Sequence, residues 1–114
     1  MNILAPRLQG CSWLDLFGGS GVMGCEALER GAQRIVAVEN NLHVAEVCKR
    51  NLIRVRDSSA PNASVDVLRC DCLSWTARRQ KQHFDLVYLD PPYQTDLYAP
   101  VLSNLASGHL VSSS

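Results

Sequence analysis

The stretch Leu14-Asp15-Leu16-Phe17-Gly18-Gly19-Ser20-Gly21 decides the fold of this chain. The short apolar run over residues 12–17 stops at glycine, which predicts a buried strand. The glycines that follow predict a tight loop to which a ligand can come close, because no Cβ stands in the way. From Val22 to Arg30 the apolar residues take helical spacing, with Gly31 as a C-terminal cap, so strand, loop and helix follow one another.

Outside this stretch, strands and helices alternate in the same way. Further strands are predicted at residues 34–39, 65–70, 84–89 and, as the start of a fifth, 109–111. Further helices are predicted from residue 42, after a cap at Asn40 or Asn41, then at 73–82 and at 98–106, closed by Gly108, with a loop at 57–62. This alternation predicts an α/β fold in which helices cover both faces of a parallel sheet, with ligands bound beyond the C-terminal strand ends.

Length and composition exclude several classes of protein. The chain has 114 residues, a length that allows one domain. Its formal net charge is zero, so no strong overall electrostatic field attracts nucleic acid. No apolar run is long enough to span a bilayer, so no membrane partner is expected. The five cysteines are scattered and odd in number, which favours a reducing, cytoplasmic compartment over a disulfide scaffold. Their spacing also predicts no metal site.

Acidic residues stand inside or directly after each of the first three predicted strands. Asp15 interrupts an apolar strand, and such a carboxylate is costly to bury unless it is paired or faces a ligand such as a cationic amino group. Glu39 ends the second strand, where it can accept the hydroxyls of a ribose. Asp71 follows the third strand and can accept from an adenine amino group. Ordinary alternatives exist for each: bonds to backbone amides, a solvated charge, and a helix N-cap, respectively.

The fourth predicted strand ends at Asp90-Pro91-Pro92-Tyr93. The prolines fix the backbone and remove N–H donors, so the Asp90 carboxylate and the Pro91 carbonyl become acceptors fixed in place at the sheet edge. Tyr93 adds a flat aromatic face. Acceptors beside an aromatic platform suit a planar base with an exocyclic amino group, whereas a plain Pro-rich turn does not require these neighbours.

The glycine stretch taken alone permits another interpretation. Residues 19–24 match the pattern G-x-G-x-x-G, and Glu39 follows at the distance typical of dinucleotide-binding folds. An NAD(P)-binding Rossmann oxidoreductase would explain these residues, but it leaves 90–93 unexplained.

Together the motifs resemble S-adenosylmethionine-dependent methyltransferases that modify the amino group of a nucleobase. The residues between the motifs, Glu26-Ala27-Leu28-Glu29-Arg30-Gly31-Ala32 and Val38-Glu39, are similar to the bacterial 16S ribosomal RNA guanine-N2 methyltransferase family. That family has alanine where Gly18 stands. A DNA adenine-N6 methyltransferase would share the two motifs at residues 15–21 and 90–93, and it is the nearest alternative.

The resemblance implies a Rossmann-like class I methyltransferase fold, S-adenosyl-L-methionine as cofactor, and 16S rRNA or the small ribosomal subunit as partner. It assigns catalysis to Asp90, Pro91, Pro92 and Tyr93. It assigns cofactor binding to Asp15, Phe17, Gly18, Gly19, Ser20, Gly21, Glu39, Asn40, Asp71 and Cys72.

The resemblance covers nearly the whole chain, but the chain covers only part of the family. Residues 1–114 are therefore expected to form a single partial methyltransferase domain, truncated after about five strands of a seven-strand plan. An uncovered fifth strand predicts marginal stability or self-association through an exposed sheet edge. A non-catalytic fragment is the remaining alternative.

Overall fold

The computed structural model describes residues 8–78, 82–90 and 96–108, in which strands and helices alternate as the sequence predicts. In chain order the elements are β1 (Ser12–Leu16), α1 (Val22–Glu29), β2 (Arg34–Val38), α2 (Leu42–Ser59), β3 (Ser64–Leu68), α3 (Cys72–Ala77), β4 (Leu86–Leu89) and α4 (Tyr98–Gly108). The predicted strand at 109–111 lies outside the described residues. The self-association argued from it stays a prediction.

The strands are shorter than the sequence patterns predict. The first ends at Leu16 because Phe17 turns into the left-handed region, with φ 60°. Strand β2 stops one residue before Glu39, β3 spans residues 64–68 rather than 65–70, and β4 begins at Leu86 rather than Phe84. Phe84 is nevertheless fully buried. Apolar residues are buried both within a strand and just beyond its ends. A pattern of apolar residues therefore overestimates the number of residues that pair in the sheet.

Several helix ends also differ from their predicted positions. The loop predicted at 57–62 begins only after Ser59, where helix α2 ends. Helix α3 starts at Cys72 and ends at Ala77, so it is shorter than the predicted 73–82. Gly108 is the last residue of α4 rather than the residue after it. By contrast, Gly31 takes φ 104° directly after the Arg30 cap of α1, which confirms its predicted place at that helix end.

Strands β1 to β4 form one parallel sheet in the order β3-β2-β1-β4. At its C-terminal edge, Leu16 of β1 lies opposite Val38 of β2 and Leu89 of β4. Val38 lies opposite Leu68 of β3. The residues that follow these four positions therefore leave the sheet side by side.

Helices cover both faces, so the predicted three-layer α/β/α arrangement is confirmed. On one face, α1 and α2 close a core that is formed by Leu8, Cys11, Trp13, Ala27, Leu28, Ala32, Ile35, Ala37, Cys48, Leu52 and Ala63. On the other face, α3 and α4 close a core that is formed by Leu14, Leu16, Val36, Val38, Cys72, Trp75, Phe84, Val101 and Leu105. Alternate residues of β1 point to opposite faces, which places Asp15 on the side of α1 and α2.

None of the helices within residues 8–78, 82–90 and 96–108 is long and apolar enough to cross a membrane.

Candidate functional site

The C-terminal edge of the sheet brings several predicted site residues together. The loop that starts at Phe17 follows β1, Glu39 follows β2, and Asp90 follows β4, from neighbouring positions in the register. Asp71 lies three residues beyond the end of β3. Parallel strands bring their carboxyl ends to one edge, which is why these distant segments meet. Pro91, Pro92 and Tyr93 lie outside the described residues.

The glycine loop, residues 18–21, leaves the sheet through a strained turn. Phe17 and Gly19 have φ values of 60° and 56°, and Gly21 has 86°. The amide of Gly18 donates to the carbonyl oxygen of Val38 at 3.0 Å, and the amide of Gly21 donates back to the Gly18 carbonyl at 3.0 Å. The loop therefore folds over the end of β2 before α1 begins.

Packing under the loop requires a glycine at its last position. A Cβ on Gly21 would lie 3.2 Å from the Cys48 carbonyl oxygen and 3.3 Å from Cγ of Leu52. Gly24 is also confined, because a Cβ there would lie 2.8 Å from a methyl carbon of Leu52 and 3.4 Å from a methyl carbon of Ile35. These glycines let α1 approach α2 and the sheet closely, the packing role expected of the last glycine in the G-x-G-x-x-G pattern.

The Glu39 carboxylate accepts hydrogen bonds from two backbone amides. Its Oε1 accepts from Gly19 at 3.0 Å, and its Oε2 accepts from Asn41 at 3.0 Å. The side chain thus links the glycine loop to the start of α2, whose N-cap is Asn41. Asn40, the other cap candidate, is exposed between them. Ribose binding by Glu39 stays a prediction, but the carboxylate is fixed at the edge where that role requires it.

Asp15 is a buried carboxylate with an unsatisfied oxygen. The residue is 2% exposed, and among the described residues no donor reaches its Oδ2 atom. Thr76, which is equally buried, differs from Asp15 because its hydroxyl has a partner: it donates a hydrogen bond to the Cys72 carbonyl oxygen at 2.8 Å. A buried acceptor without a donor costs free energy, so the alternative in which backbone amides satisfy Asp15 does not account for this oxygen. The site therefore fits a ligand that brings a donor.

The edge carries a concentration of negative charge. Burial first, and then the charges of Asp90 and Glu39, raise the pKa of Asp15 to about 7. Asp90 is exposed and Glu39 is half-buried, so both keep contact with water. A cation bound at this edge would favour the ionised form of Asp15 and replace its missing partner.

Asp71 caps a helix. Its Oδ2 accepts from the amide of Ser74 at 2.9 Å and from the Ser74 hydroxyl at 3.0 Å, as an N-cap residue does. The N-cap alternative is thus what the structure shows for this oxygen. Binding of an adenine amino group by the exposed Asp71 side chain stays a prediction.

Two side-chain contacts with the loop were not predicted from the sequence. The Asn51 amide, in the middle of α2, donates to the carbonyl oxygen of Ser20 at 2.9 Å. The thiol of Cys72, a residue that the resemblance assigns to cofactor binding, accepts a hydrogen bond from the Phe17 amide at 3.2 Å, a contact that the sequence did not predict. Neither contact has a local signal, because each joins segments far apart in the chain.

A separate cavity lies at the opposite, N-terminal end of the sheet. Its volume is about 310 Å³, and it is lined by residues 28–33 and 59–63 together with Gln9. The described residues that carry the predicted chemistry are all at the other edge.

Comparison with known proteins agrees with this arrangement. A family model described as "Conserved hypothetical protein 95" matches residues 1–114. The ribosomal RNA small subunit methyltransferase D of Haemophilus influenzae is 35% identical over 109 residues, 95% of this chain and 55% of that protein. The tRNA1(Val) (adenine(37)-N6)-methyltransferase of Shewanella halifaxensis is 30% identical over 89 residues, 78% of this chain and 35% of that protein. The chain thus spans about half or less of the length of these relatives.

Solved structures share the fold. A structure from Haemophilus influenzae, described as a proposed methylase, matches with a TM-score of 0.83 and 31% identity, covering 97% of this chain and 68% of that one. The sheet order, the helices on both faces and this match identify the Rossmann-like fold of S-adenosylmethionine-dependent methyltransferases. The chain therefore belongs to the family described as conserved hypothetical protein 95.

Proposed function

We propose that this chain forms the cofactor-binding part of an S-adenosylmethionine-dependent methyltransferase that acts on RNA. The observation that carries the proposal is the buried, unsatisfied carboxylate of Asp15 at an edge shared with Glu39 and Asp90. These charges favour a ligand with an ammonium and a sulfonium group, as S-adenosylmethionine has. They disfavour the diphosphate of a nicotinamide dinucleotide, the other ligand class that the glycine pattern permits.

Different residues of the described part of the chain would contact different parts of the cofactor. Asp15 would accept from its amino group, and the glycine loop would pass under its methionine part. Glu39 would bind the ribose hydroxyls, with Asn40 beside it, and the segment that follows β3, with Asp71 and the backbone of Cys72, would bind adenine. When bound, S-adenosylmethionine supplies an electrophilic methyl group.

For the substrate we propose the exocyclic N2 amino group of a guanine in 16S rRNA, free or in the small ribosomal subunit. Support comes from the resemblance of residues 90–93 to amino-methylating enzymes and from the small-subunit relative. Asp90 and the Pro91 carbonyl would accept the amino hydrogens, so that the nitrogen lone pair turns toward the methyl group. Pro92 would fix this backbone, and Tyr93 would stack on the unstacked base.

Methylation of an adenine N6 amino group is the second candidate, in RNA or DNA. The similarity to a tRNA adenine-N6 methyltransferase favours it, and acceptors after β4 suit either exocyclic amine. The candidates differ in the base that fits and not in the cofactor half of the site.

Calorimetric titration of the 114-residue chain with S-adenosylhomocysteine and with NAD tests the cofactor assignment. We expect binding of the former and its loss in Asp15→Ala. Binding of NAD without binding of S-adenosylhomocysteine contradicts the proposal.

Methyl transfer to naked 16S rRNA, to small subunits and to DNA tests the substrate assignment. Asp90→Ala should abolish transfer and leave S-adenosylhomocysteine affinity within about threefold, because Asp90 is placed on the substrate side. Asp66→Ala, an exposed carboxylate on β3, is the matched control and should retain transfer. Methyl transfer that survives Asp90→Ala overturns the catalytic assignment, and a methylated adenine overturns the guanine assignment.

A further inference from the structure

The thiol of Cys72 joins three elements at the edge of the sheet. Its Sγ accepts the amide of Phe17, just past β1, at 3.2 Å and donates to the carbonyl oxygen of Val38, at the end of β2, at 3.6 Å. The residue itself is the first of helix α3 and is 2% exposed. One side chain therefore ties α3 to the ends of the two central strands.

The residue bonded to this thiol has an unfavourable backbone. Phe17 is the one non-glycine residue with positive φ among the described residues, at 60°. Such a conformation costs on the order of 1–3 kcal/mol and persists only where the surroundings fix it. The Phe17 ring packs against the core on the α3 side, and its amide is bonded to the thiol. Both contacts come from the same face of the sheet.

The conformation of Phe17 sets the direction of the glycine loop. The next amide, of Gly18, bonds to the same Val38 carbonyl that the thiol reaches, at 3.0 Å. The one after it, of Gly19, bonds to Glu39. Asp15, with its unsatisfied oxygen, lies two residues before Phe17. A change at Phe17 would therefore shift the loop relative to both carboxylates.

The thiol can serve as donor and acceptor together. Burial raises the pKa of Cys72 to about 12, so the sulfur keeps its proton at physiological pH. Alanine here would leave the Phe17 amide without its acceptor and would leave a small void beneath the turn. Serine would keep both a donor and an acceptor.

We propose that Cys72 is a positioning residue of the cofactor site, whose thiol holds Phe17 in its left-handed conformation and thereby sets the path of the glycine loop. This inference deepens the proposed function and rests on it for the identity of the ligand. The thiol links the segment proposed to bind adenine with the segment proposed to bind the methionine part.

The test compares Cys72→Ala and Cys72→Ser with Cys11→Ala. Cys11 is also a buried thiol, 4% exposed, but it precedes β1 at the far end of the sheet, so it controls for the loss of a buried sulfur. Amide hydrogen exchange by NMR reports on Phe17 without ligand, and calorimetry reports the affinity for S-adenosylhomocysteine.

In Cys72→Ala we expect Phe17 exchange to accelerate by about tenfold and affinity to fall by about tenfold, the effect of one lost hydrogen bond. Cys72→Ser should restore both to within about threefold, and Cys11→Ala should change neither. If the alanine variant does not fold, Cys72→Val fills the volume without a polar atom and should show the same two losses. An unchanged Phe17 exchange rate, or an unchanged affinity, in the alanine or valine variant would overturn the proposal.

The two proposals fail in different ways. A wild-type chain that does not bind S-adenosylhomocysteine refutes the proposed cofactor. An unchanged Phe17 exchange rate refutes the role of Cys72 even when the wild type binds.

Discussion

The side-chain amide of Asn51 donates a 2.9 Å hydrogen bond to the carbonyl oxygen of Ser20, which ties helix α2 to the glycine loop. Asn51→Ala removes this bond while the rest of α2 stays packed on the sheet. We expect S-adenosylhomocysteine affinity to fall by about 3- to 10-fold, since one hydrogen bond is worth roughly 0.5–1.5 kcal/mol. Glu46→Ala, an exposed change on the same helix, should leave the calorimetric Kd unchanged. Equal affinities of the two variants would show that the Asn51 contact does not order the loop.

Gly21 and Gly10 form a matched pair for the packing under the loop. Both have positive φ, 86° and 74°, but a Cβ on Gly10 meets no atom within 4 Å, whereas one on Gly21 meets Cys48 and Leu52. Gly10→Ala should cost about 1 kcal/mol for the left-handed backbone alone. Gly21→Ala should cost about 1–3 kcal/mol more through overpacking. Urea unfolding measures both, and equal losses would contradict the close packing of the loop on α2.

Asp15 should make stability fall as pH rises. Its pKa is raised from 3.8 to about 7 in the folded chain, so between these values the folded state binds more protons than the unfolded state. The free energy of unfolding therefore decreases with rising pH in that window, by an amount on the order of 4 kcal/mol. The difference in stability between Asp15→Asn and wild type should accordingly shift in favour of the variant between pH 4 and pH 8. Urea unfolding at both pH values checks this, and a constant difference would mean that Asp15 is ionised in the folded chain throughout.

Ligand binding should show the opposite pH dependence. A cationic amino group beside Asp15 favours the carboxylate, so binding releases the proton that the free protein holds below about pH 7. S-adenosylhomocysteine affinity should rise by up to about tenfold per pH unit toward pH 7 and level off above it. Asp15→Asn should bind more weakly and without this slope. A wild-type Kd that stays flat from pH 5 to pH 7, measured by calorimetry, would place the amino group elsewhere.

Local patterns predicted the elements well and their ends poorly. The loop predicted at 57–62 contains serines, yet α2 continues to Ser59 because the half-buried Val55 packs on the core. The Ser58 hydroxyl bonds back to the Val55 carbonyl at 3.2 Å, which satisfies it inside the last helical turn. Helix α3 begins early because Asp71 caps it through Ser74.

The sequence by itself determined the order of strands and helices, the glycine loop after β1, and the acidic residue within that strand. These features follow from short-range patterns, since apolar spacing, glycine and charge act on the nearest residues. Which strand ends lie side by side followed from parallel topology, so Glu39 and Asp90 could be assigned to one edge.

Only the tertiary structure decided which side chains hold that edge in place. Cys72 reaches Phe17 and Asn51 reaches Ser20 across long stretches of chain, and no local pattern encodes a pairing of that kind. Packing of α1 and α2 over β1 also decided that Asp15 is buried with one oxygen unsatisfied. Burial and long-range hydrogen bonds depend on how whole elements pack together, so the residues of the site could be identified from the sequence, whereas the contacts that hold them in place could not.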